Sequence, residues 1–184
     1  HTLQKGFDYI ENESFASTFG GLFSEINLNS EKLGKDYTAR NATLCTVIKA
    51  IADGLEKFST DKDTLGDAYE YLMRHFATES GKSKGQFYTP AEVSRILAKV
   101  LNITNANSQT SAYDPTCGSG SLLLKVADEA DANITLYGQE NDVATTALAR
   151  MNMILHNYAT ATIKQGNTIA NPYFVNEHSQ LKTF

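Results

Sequence analysis

The sequence predicts an α/β protein in which a helical amino-terminal domain, residues 1–80, precedes a sheet of parallel strands with flanking helices, residues 81–184. Three observations support this fold class. Apolar residues recur at helical spacing through the first part of the chain. Three short strand-like runs follow and alternate with segments of helix length, as in parallel sheets with right-handed crossovers. A glycine-rich turn separates the first of these runs from the helix after it.

The composition is that of a globular protein rather than of a membrane protein or a disulfide-rich one. The chain has 184 residues, 41% of them hydrophobic, and no window approaches the roughly 20 apolar residues of a membrane span. Its net charge of −5 means that binding to nucleic acid would need a local basic patch or another subunit. Cys45 and Cys117 predict free thiols in a reducing cytoplasm. Because the sequence begins at His1 rather than Met, we expect it to be a piece of a longer chain.

The first half of the chain predicts helices and shows no residues that suggest chemistry. An early helix is expected to end near Gly20-Gly21. An amphipathic helix is predicted from Tyr37 to Phe58, where these apolar residues keep helical spacing: Leu44, Val47, Ile48, Ile51, Leu55 and Phe58. Asp67 would cap a third helix over residues 68–80. Its inner side would carry Tyr69, Leu72, Met73 and Phe76.

A capping box marks the next predicted helix. Thr89 would be its N-cap and Pro90 its first residue, and Glu92 would complete the box. The apolar face that this helix would bury consists of Val93, Ile96, Leu97, Val100 and Leu101. Just before it, the rings of Phe87 and Tyr88 would either pack on a cationic sulfonium and a methionine chain or fasten the helix to the sheet. Both interpretations stay open on these residues alone.

The most informative stretch is the turn after the first predicted strand. Asp114-Pro115 would end that strand, because proline cannot donate to the ladder of a sheet. Gly118 and Gly120 would let the backbone bend sharply and approach a ligand without a Cβ in the way. The free N–H groups of the following helix, which begins at Ser121, would face this turn.

This turn matches neither of the two common phosphate-binding loops. The third glycine of a dinucleotide loop is replaced by Leu123, and the lysine of a P-loop by Ser121. The pattern therefore favours a nucleotide-like ligand of another kind, with a purely structural turn as the alternative.

Two further strands are predicted beyond this turn. Ile134 to Tyr137 forms the second and ends in Gly138-Gln139-Glu140, where an acidic side chain at the strand tip can accept from both hydroxyls of a ribose. Asp142 would cap the next helix. A third strand is predicted from Thr160 to Lys164. The four histidines lack the spacing of metal ligands, so no metal site is predicted, and Cys117 is expected to be a packing thiol.

Four motifs in this order carry a family resemblance: GQFYTP, then DPTCGSGSLLL, then YGQEND with ARMNMILHN, then QGNTI. Together with the helical opening and its GDAYEYL, they resemble the modification (M) subunit of type I restriction–modification systems, an N6-adenine DNA methyltransferase. The resemblance implies the first half of a Rossmann-like S-adenosylmethionine-dependent methyltransferase sheet, truncated before the catalytic motif of strand 4. It also implies DNA, a specificity (S) subunit, a restriction (R) subunit and a second M subunit as partners, without a membrane.

The resemblance also assigns cofactor-binding residues by position. Contacts to the methionine part would come from Gln86, Phe87, Tyr88, Thr89, Pro90 and Ala91. Asp114 and the residues from Ser119 to Ser121 would hold its amino and carboxylate groups, and Glu140 would take the ribose hydroxyls. Asn167 would reach the adenine edge, where many relatives have aspartate and asparagine still offers an acceptor oxygen. Their neighbours Pro115, Thr116, Gly118, Gly120, Asn141 and Thr168 complete the predicted site.

The catalytic motif of the family, Asn/Asp-Pro-Pro-Phe/Tyr, is the main departure. The nearest string here is Asn171-Pro172-Tyr173-Phe174, which lacks the second proline and follows the third strand too closely. We interpret it as a surface loop and expect Leu181 to Phe184 to begin the fourth strand. The chain would then carry the cofactor half of an active site and be inactive alone.

Two other functions remain compatible with the sequence. One is methyl transfer to a different planar nitrogen, in an RNA base or a protein glutamine. The other is a non-catalytic scaffold that keeps the fold and binds partners only.

Overall fold

The computed structural model describes residues 2–14, 19–55, 66, 68–73, 75 and 89–184. The chain forms two compact units, His1–Leu65 and Gly66–Phe184. The predicted roles of Phe58, Asp67, Phe76 and residues 86–88 lie outside the described residues. Among those described, no helix combines the length and the apolar character needed to cross a membrane.

The regular elements described in the first unit are helical, and residues 20–30 form turns and loop. Helix α1, Thr2–Tyr9, continues into a π-helical turn at Ile10–Ser14, and a 3₁₀ turn spans Glu31–Leu33. Helix α2, Tyr37–Leu55, confirms the predicted helix over that range, but Val47, Ile48 and Ile51 of its predicted apolar face are about half exposed. It begins where Asp36 Oδ1 accepts the N–H of Ala39 at 2.8 Å.

The second unit contains a three-stranded sheet with helices between its strands. In chain order its elements are α3, Ala91–Leu101; β1, Ser111–Asp114; α4, Ser121–Asp128; β2, Thr135–Glu140; α5, Val143–Leu155; and β3, Thr162–Gln165. The strands lie in the order β1-β2-β3 and every pair is parallel. The predicted alternation of strands and helices around a parallel sheet is therefore confirmed.

One face of the sheet carries the apolar core. Leu123, Leu124 and Val126 of α4 are buried against Leu136 of β2. Further core residues are Ile134, Ile163, Ala149 and Met153. Because full burial of each large aliphatic side chain is worth about 2 kcal/mol, this layer is the main force that holds α4 and α5 on the sheet.

The opposite face is covered by aromatic rings from the end of the chain. Tyr113 and Tyr137 are register partners on β1 and β2, and the ring of Phe174 packs edge-on against both at 5.1 Å between centroids. Phe184 joins this cluster. The segment after β3 thus returns across the sheet and closes through an antiparallel bridge between Val175 and Leu181.

Helix α3 differs from its prediction at its start and on its buried face. Pro90 occupies the N-cap position and no described side chain caps the helix, so the predicted capping box with Thr89 as N-cap is wrong. The buried residues are Ser94 and Ala98, whereas the five predicted apolar residues are 45–76% exposed. Small side chains allow α3 to approach α4 closely, which turns the larger apolar ones outward.

The helical residues 68–73 belong to the second unit. The hydroxyl of Tyr69 donates to the carbonyl of Leu148 in α5 at 2.8 Å, and Met73 is buried. Leu72, which was predicted on the inner side, is half exposed. The compact units divide at residue 65, and the domain boundary at residue 80 stays a prediction.

Candidate cofactor-binding site

The turn between β1 and α4 has the sharp bend that its glycines predict. Gly118 and Gly120 have φ values of +54° and +80°, the left-handed region that glycine adopts at little cost. Gly120 has a second reason to lack a side chain, because a Cβ there would lie 2.4 Å from Cε of Met153. The missing Cβ of Gly120 therefore makes room for α5, and the expected approach of a ligand to its backbone stays a prediction.

Most N–H groups of the bend are used to fold the turn itself. Thr116 N–H donates to Oδ1 of Asp114 at 2.9 Å, and Cys117 N–H donates to the carbonyl of Gln139 at 3.0 Å. Gly120 N–H donates to the carbonyl of Cys117 at 2.7 Å. Hence the bend offers a ligand fewer N–H groups than its glycine content suggests.

The N–H groups with no acceptor among the described residues lie where the turn meets helix α4. They belong to Ser119 and to the first turn of α4, namely Ser121, Leu122 and Leu123. The N-cap position of this helix is Gly120, and no side chain of the described residues caps it. A helix start of this kind attracts an anionic group such as a carboxylate.

Glu140 is directed at this turn from the end of β2. Its Oε2 accepts the N–H of Gly118 at 3.1 Å, and its Oε1 accepts the N–H of Asp142 at 2.8 Å. Each carboxylate oxygen can accept more than one hydrogen bond. The two N–H groups therefore fix the carboxylate in place and leave a lone pair on each oxygen for two further hydroxyl donors.

Asp114 lies at the end of β1, beside Glu140. Burial raises the pKa of the Asp114 carboxyl above its ordinary value of 3.8, the N–H of Thr116 opposes that shift, and the charge of Glu140 adds to it. A second carboxylate so close to the first favours a cationic group of a ligand between them.

Cys117 is a packing residue. Its thiol is buried, and a Cβ on Gly138 of β2 would lie 2.9 Å from its Sγ. Burial raises the pKa of the thiol far above its usual range, with the charges of Asp114 and Glu140 acting in the same direction. A neutral thiol is a poor nucleophile.

The serines of the turn face the interior. Ser119 and Ser121 are buried, and their hydroxyl oxygens are 2.9 Å apart. Asn152 of α5 donates from Nδ2 to the carbonyl of Ser119 at 3.0 Å. The Asn152 bond therefore fastens the turn to α5, while the two hydroxyls are paired with each other. Any contact from these serines to a ligand would come from their backbone.

The loop after β3 lies against the same turn. The hydroxyl of Thr168 donates to the carbonyl of Pro115. Oδ1 of Asn167, the predicted acceptor for the adenine edge, already accepts the N–H groups of Ile169 and Ala170 at 2.9 and 3.1 Å. The carbonyl of the neighbouring Asn141 accepts from Gln165 at 2.8 Å.

The remaining predicted residues lie elsewhere or serve packing. Ala91 lines a shallow pocket with Lys125 and Asp128, beside the carboxyl half of α4, and the cofactor role of Thr89, Pro90 and Ala91 stays a prediction. The ring of Phe174 is buried in the aromatic cluster, so it is not free to stack on a base. Among the described residues, no three His, Cys, Asp or Glu side chains converge as metal ligands would.

Together these features define the class of the protein. A parallel sheet whose first strand leads into a glycine turn, with a carboxylate over that turn at the end of the second strand, is a Rossmann-like domain. The chain belongs to the N-6 DNA methylase family, whose model matches residues 60–183.

Known proteins agree with this assignment. The methylase subunit of the type I restriction enzyme MpnII from Mycoplasma pneumoniae is 39% identical, over 91% of this chain and 33% of its own length. A type I restriction–modification system methyltransferase subunit from Streptococcus thermophilus has 35% identity and a TM-score of 0.82, over 95% of this chain and 38% of its own. The predicted resemblance to the modification subunit is thereby confirmed.

A more distant structure shows the fold alone. It is described as a class I S-adenosylmethionine-dependent methyltransferase from Listeria monocytogenes, with 20% identity and a TM-score of 0.57 over 92% of this chain and 52% of its own. The Rossmann-like methyltransferase fold is thus confirmed. The chain spans about a third of the length of the MpnII subunit and of the Streptococcus subunit.

Proposed function

We propose that the full-length gene product is the adenine-N6 DNA methyltransferase subunit of a type I restriction–modification system, and that this chain carries its cofactor-binding half. The observation that carries the proposal is the Glu140 carboxylate, held by the N–H groups of Gly118 and Asp142 over an uncapped helix start. Membership of the N-6 DNA methylase family supports the reaction and its substrate.

The residues fit S-adenosylmethionine. The lone pairs left on Glu140 suit the two ribose hydroxyls, and the N–H groups at the start of α4 suit the methionine carboxylate. Asp114, with its carboxyl beside that of Glu140, suits the α-ammonium group. When bound, S-adenosylmethionine supplies a methyl group on a positively charged sulfur, and the chain's own part is to orient that cofactor.

The base contact follows from the hydrogen bonds of Asn167. Because its Oδ1 is engaged by two backbone N–H groups, we infer that the side-chain Nδ2 faces the adenine and donates to a ring nitrogen. This differs from the acceptor role expected from the sequence, although the same residue is used.

The partners and the compartment are part of the proposal. The relatives are named as methylase subunits of type I restriction enzymes, which supports assembly with a specificity subunit, a restriction subunit, a second modification subunit and DNA. The specificity subunit would read the DNA sequence. We infer a cytoplasmic complex.

The test is methyl transfer by the full-length gene product purified with its specificity subunit. With S-adenosylmethionine labelled on the methyl group, we expect label in DNA as N6-methyladenine. Glu140→Gln keeps the shape of the side chain but removes the charge, and should weaken cofactor binding by about 10- to 100-fold, as loss of charge-assisted bonds does. The exposed Glu177→Gln is the matched control and should behave as wild type.

Other outcomes would decide against the proposal. Label in RNA or in a protein glutamine would identify a different methyltransferase. A folded complex that binds no S-adenosylmethionine by calorimetry would identify a scaffold.

A further inference from the structure

Gln139 is a fully buried polar side chain in the middle of the sheet, with 0% of its surface exposed. Its Nε2 donates to the carbonyls of Gly166 and Asn171 at 3.2 and 2.9 Å. Its Oε1 accepts the N–H of Tyr173 at 3.1 Å and is 3.5 Å from the hydroxyl of Tyr113. Two donors and two acceptor sites are the full capacity of an amide, so this side chain is saturated.

The groups that Gln139 binds are the two ends of one loop, residues 166–173. The loop also closes on itself, because Asn171 N–H donates to the carbonyl of Asn167 at 2.8 Å. At its start, Gly166 N–H donates to the carbonyl of Glu140 at 2.8 Å, and a Cβ on Gly166 would lie 2.9 Å from the ring of Tyr173.

Successive side chains of a strand point to opposite faces, so Gln139 points away from the face that Glu140 serves. The dipeptide Gln139-Glu140 of β2 therefore contacts two parts of the site, one with each side chain. Glu140 is set against the glycine turn, while Gln139 holds the loop that carries Asn167 and Thr168. Thr168 in turn reaches the carbonyl of Pro115 in the same turn.

We propose that Gln139 is a positioning residue for the adenine end of the cofactor, which acts through Asn167 and touches no ligand itself. The inference rests on the proposed function, since it takes the 166–173 loop as the base-facing wall of the site. Removal of the amide leaves the carbonyls of Gly166 and Asn171 and the N–H of Tyr173 without their buried partner. Such groups are costly to leave unsatisfied, and the loop is expected to move to rehydrate them.

The test compares two ligands that differ only at the base, S-adenosylhomocysteine and S-inosylhomocysteine, on the full-length gene product by calorimetry. Asn167→Ala should weaken S-adenosylhomocysteine binding about tenfold, the equivalent of one good hydrogen bond. It should also reduce the base preference, which is the ratio of the protein's affinity for S-adenosylhomocysteine to its affinity for S-inosylhomocysteine. Gln139→Met should reduce the preference to the same degree. The affinity of the double variant for S-adenosylhomocysteine should be within about twofold of that of either single variant. The effects of two substitutions are not additive when one residue acts through the other.

Two further variants complete the design. Tyr113→Phe removes the longest of the four contacts to Gln139 and a hydrogen bond to the Thr168 side chain. Because the three shorter contacts of Gln139 to the loop backbone remain, the affinity should stay within about twofold. Gly166→Ala displaces the loop from outside β2, because its Cβ would strike the ring of Tyr173. It replaces Gln139→Met in the cycle if that variant does not fold.

The outcomes separate this inference from the function on which it rests. Wild-type protein that binds neither ligand overturns both. Wild-type binding with an unchanged base preference in Gln139→Met or Gly166→Ala, or with additive losses in the double variant, overturns the positioning role alone. A purely structural Gln139 would lower the stability and leave the base preference as it is.

Discussion

At the scale of single residues, the site is built by carboxylates that the backbone holds in place. Glu140 takes one N–H from the glycine turn and one from the start of α5. Asp114 takes the N–H of Thr116 and lies partly buried beside Glu140. Two neighbouring carboxylates repel one another, and a bound cation would relieve that repulsion.

The stability of the fold should therefore depend on pH through Asp114. Because its pKa is raised in the folded state, the folded protein holds this proton more tightly than the unfolded chain. The free energy of unfolding should fall as the pH rises from about 3.8 through the folded pKa. Asp114→Asn keeps the acceptor for Thr116 and should remove this fall. Urea unfolding between pH 4 and pH 7 measures it, and identical pH profiles for the two proteins would contradict the prediction.

At the scale of elements, the start of α5 contributes both to the stability of that helix and to the position of Glu140 in the site. Its N-cap Asp142 accepts the N–H and the hydroxyl of Thr145 through Oδ2, at 2.8 and 2.7 Å. The predicted cap is confirmed. The N–H of the same residue holds Glu140, so one residue serves the helix with its side chain and the site with its backbone.

Asp142→Ala should separate these two roles. Loss of the cap should lower the free energy of unfolding by about 1 kcal/mol. The backbone N–H remains, so the affinity for S-adenosylmethionine should change by less than about twofold. Asp142→Asn keeps an acceptor oxygen and is the control. Chemical unfolding and calorimetry on the full-length gene product measure both quantities, and a large loss of affinity in the alanine variant would show that the cap itself shapes the site.

At the scale of the whole molecule, the two compact units differ in what they contribute. The turn, the strand tips and the loop after β3 all lie in Gly66–Phe184. The described part of His1–Leu65 consists of helices and turns and contains none of the predicted site residues. Ligand binding should therefore protect one unit and leave the other much as it was.

Hydrogen exchange of the full-length gene product with and without S-adenosylhomocysteine tests whether the ligand protects only the second unit. The largest slowing is expected at Ser119, Ser121, Leu122 and Leu123, whose N–H groups have no acceptor in the part of the chain that the structure describes. Little change is expected at Cys117, Gly118 and Gly120, which are already bonded within the protein, or along α2. If protection were instead concentrated at those three bonded amides, the proposed contact between the ligand and the start of α4 would be wrong.

Local rules were enough to predict much of this protein. The left-handed turn at Gly118 and Gly120 and the cap at Asp142 depend on residues close together in the sequence, and are decided by backbone sterics or by hydrogen bonds that span a few positions. The parallel direction of the strands follows from the helix-length segments between them, which suit crossover connections. The order of the motifs along the chain was likewise enough to predict the family.

The tertiary structure decided what depends on residues far apart in the sequence. Gln139 bonds to Gly166, Asn171 and Tyr173, and no periodicity in the sequence indicates such partners. The buried face of α3 was predicted wrongly because close packing on α4 favours Ser94 and Ala98 over larger side chains. Which N–H groups of the turn remain for a ligand also depends on distant acceptors such as Glu140, and only the folded chain brings those acceptors within reach.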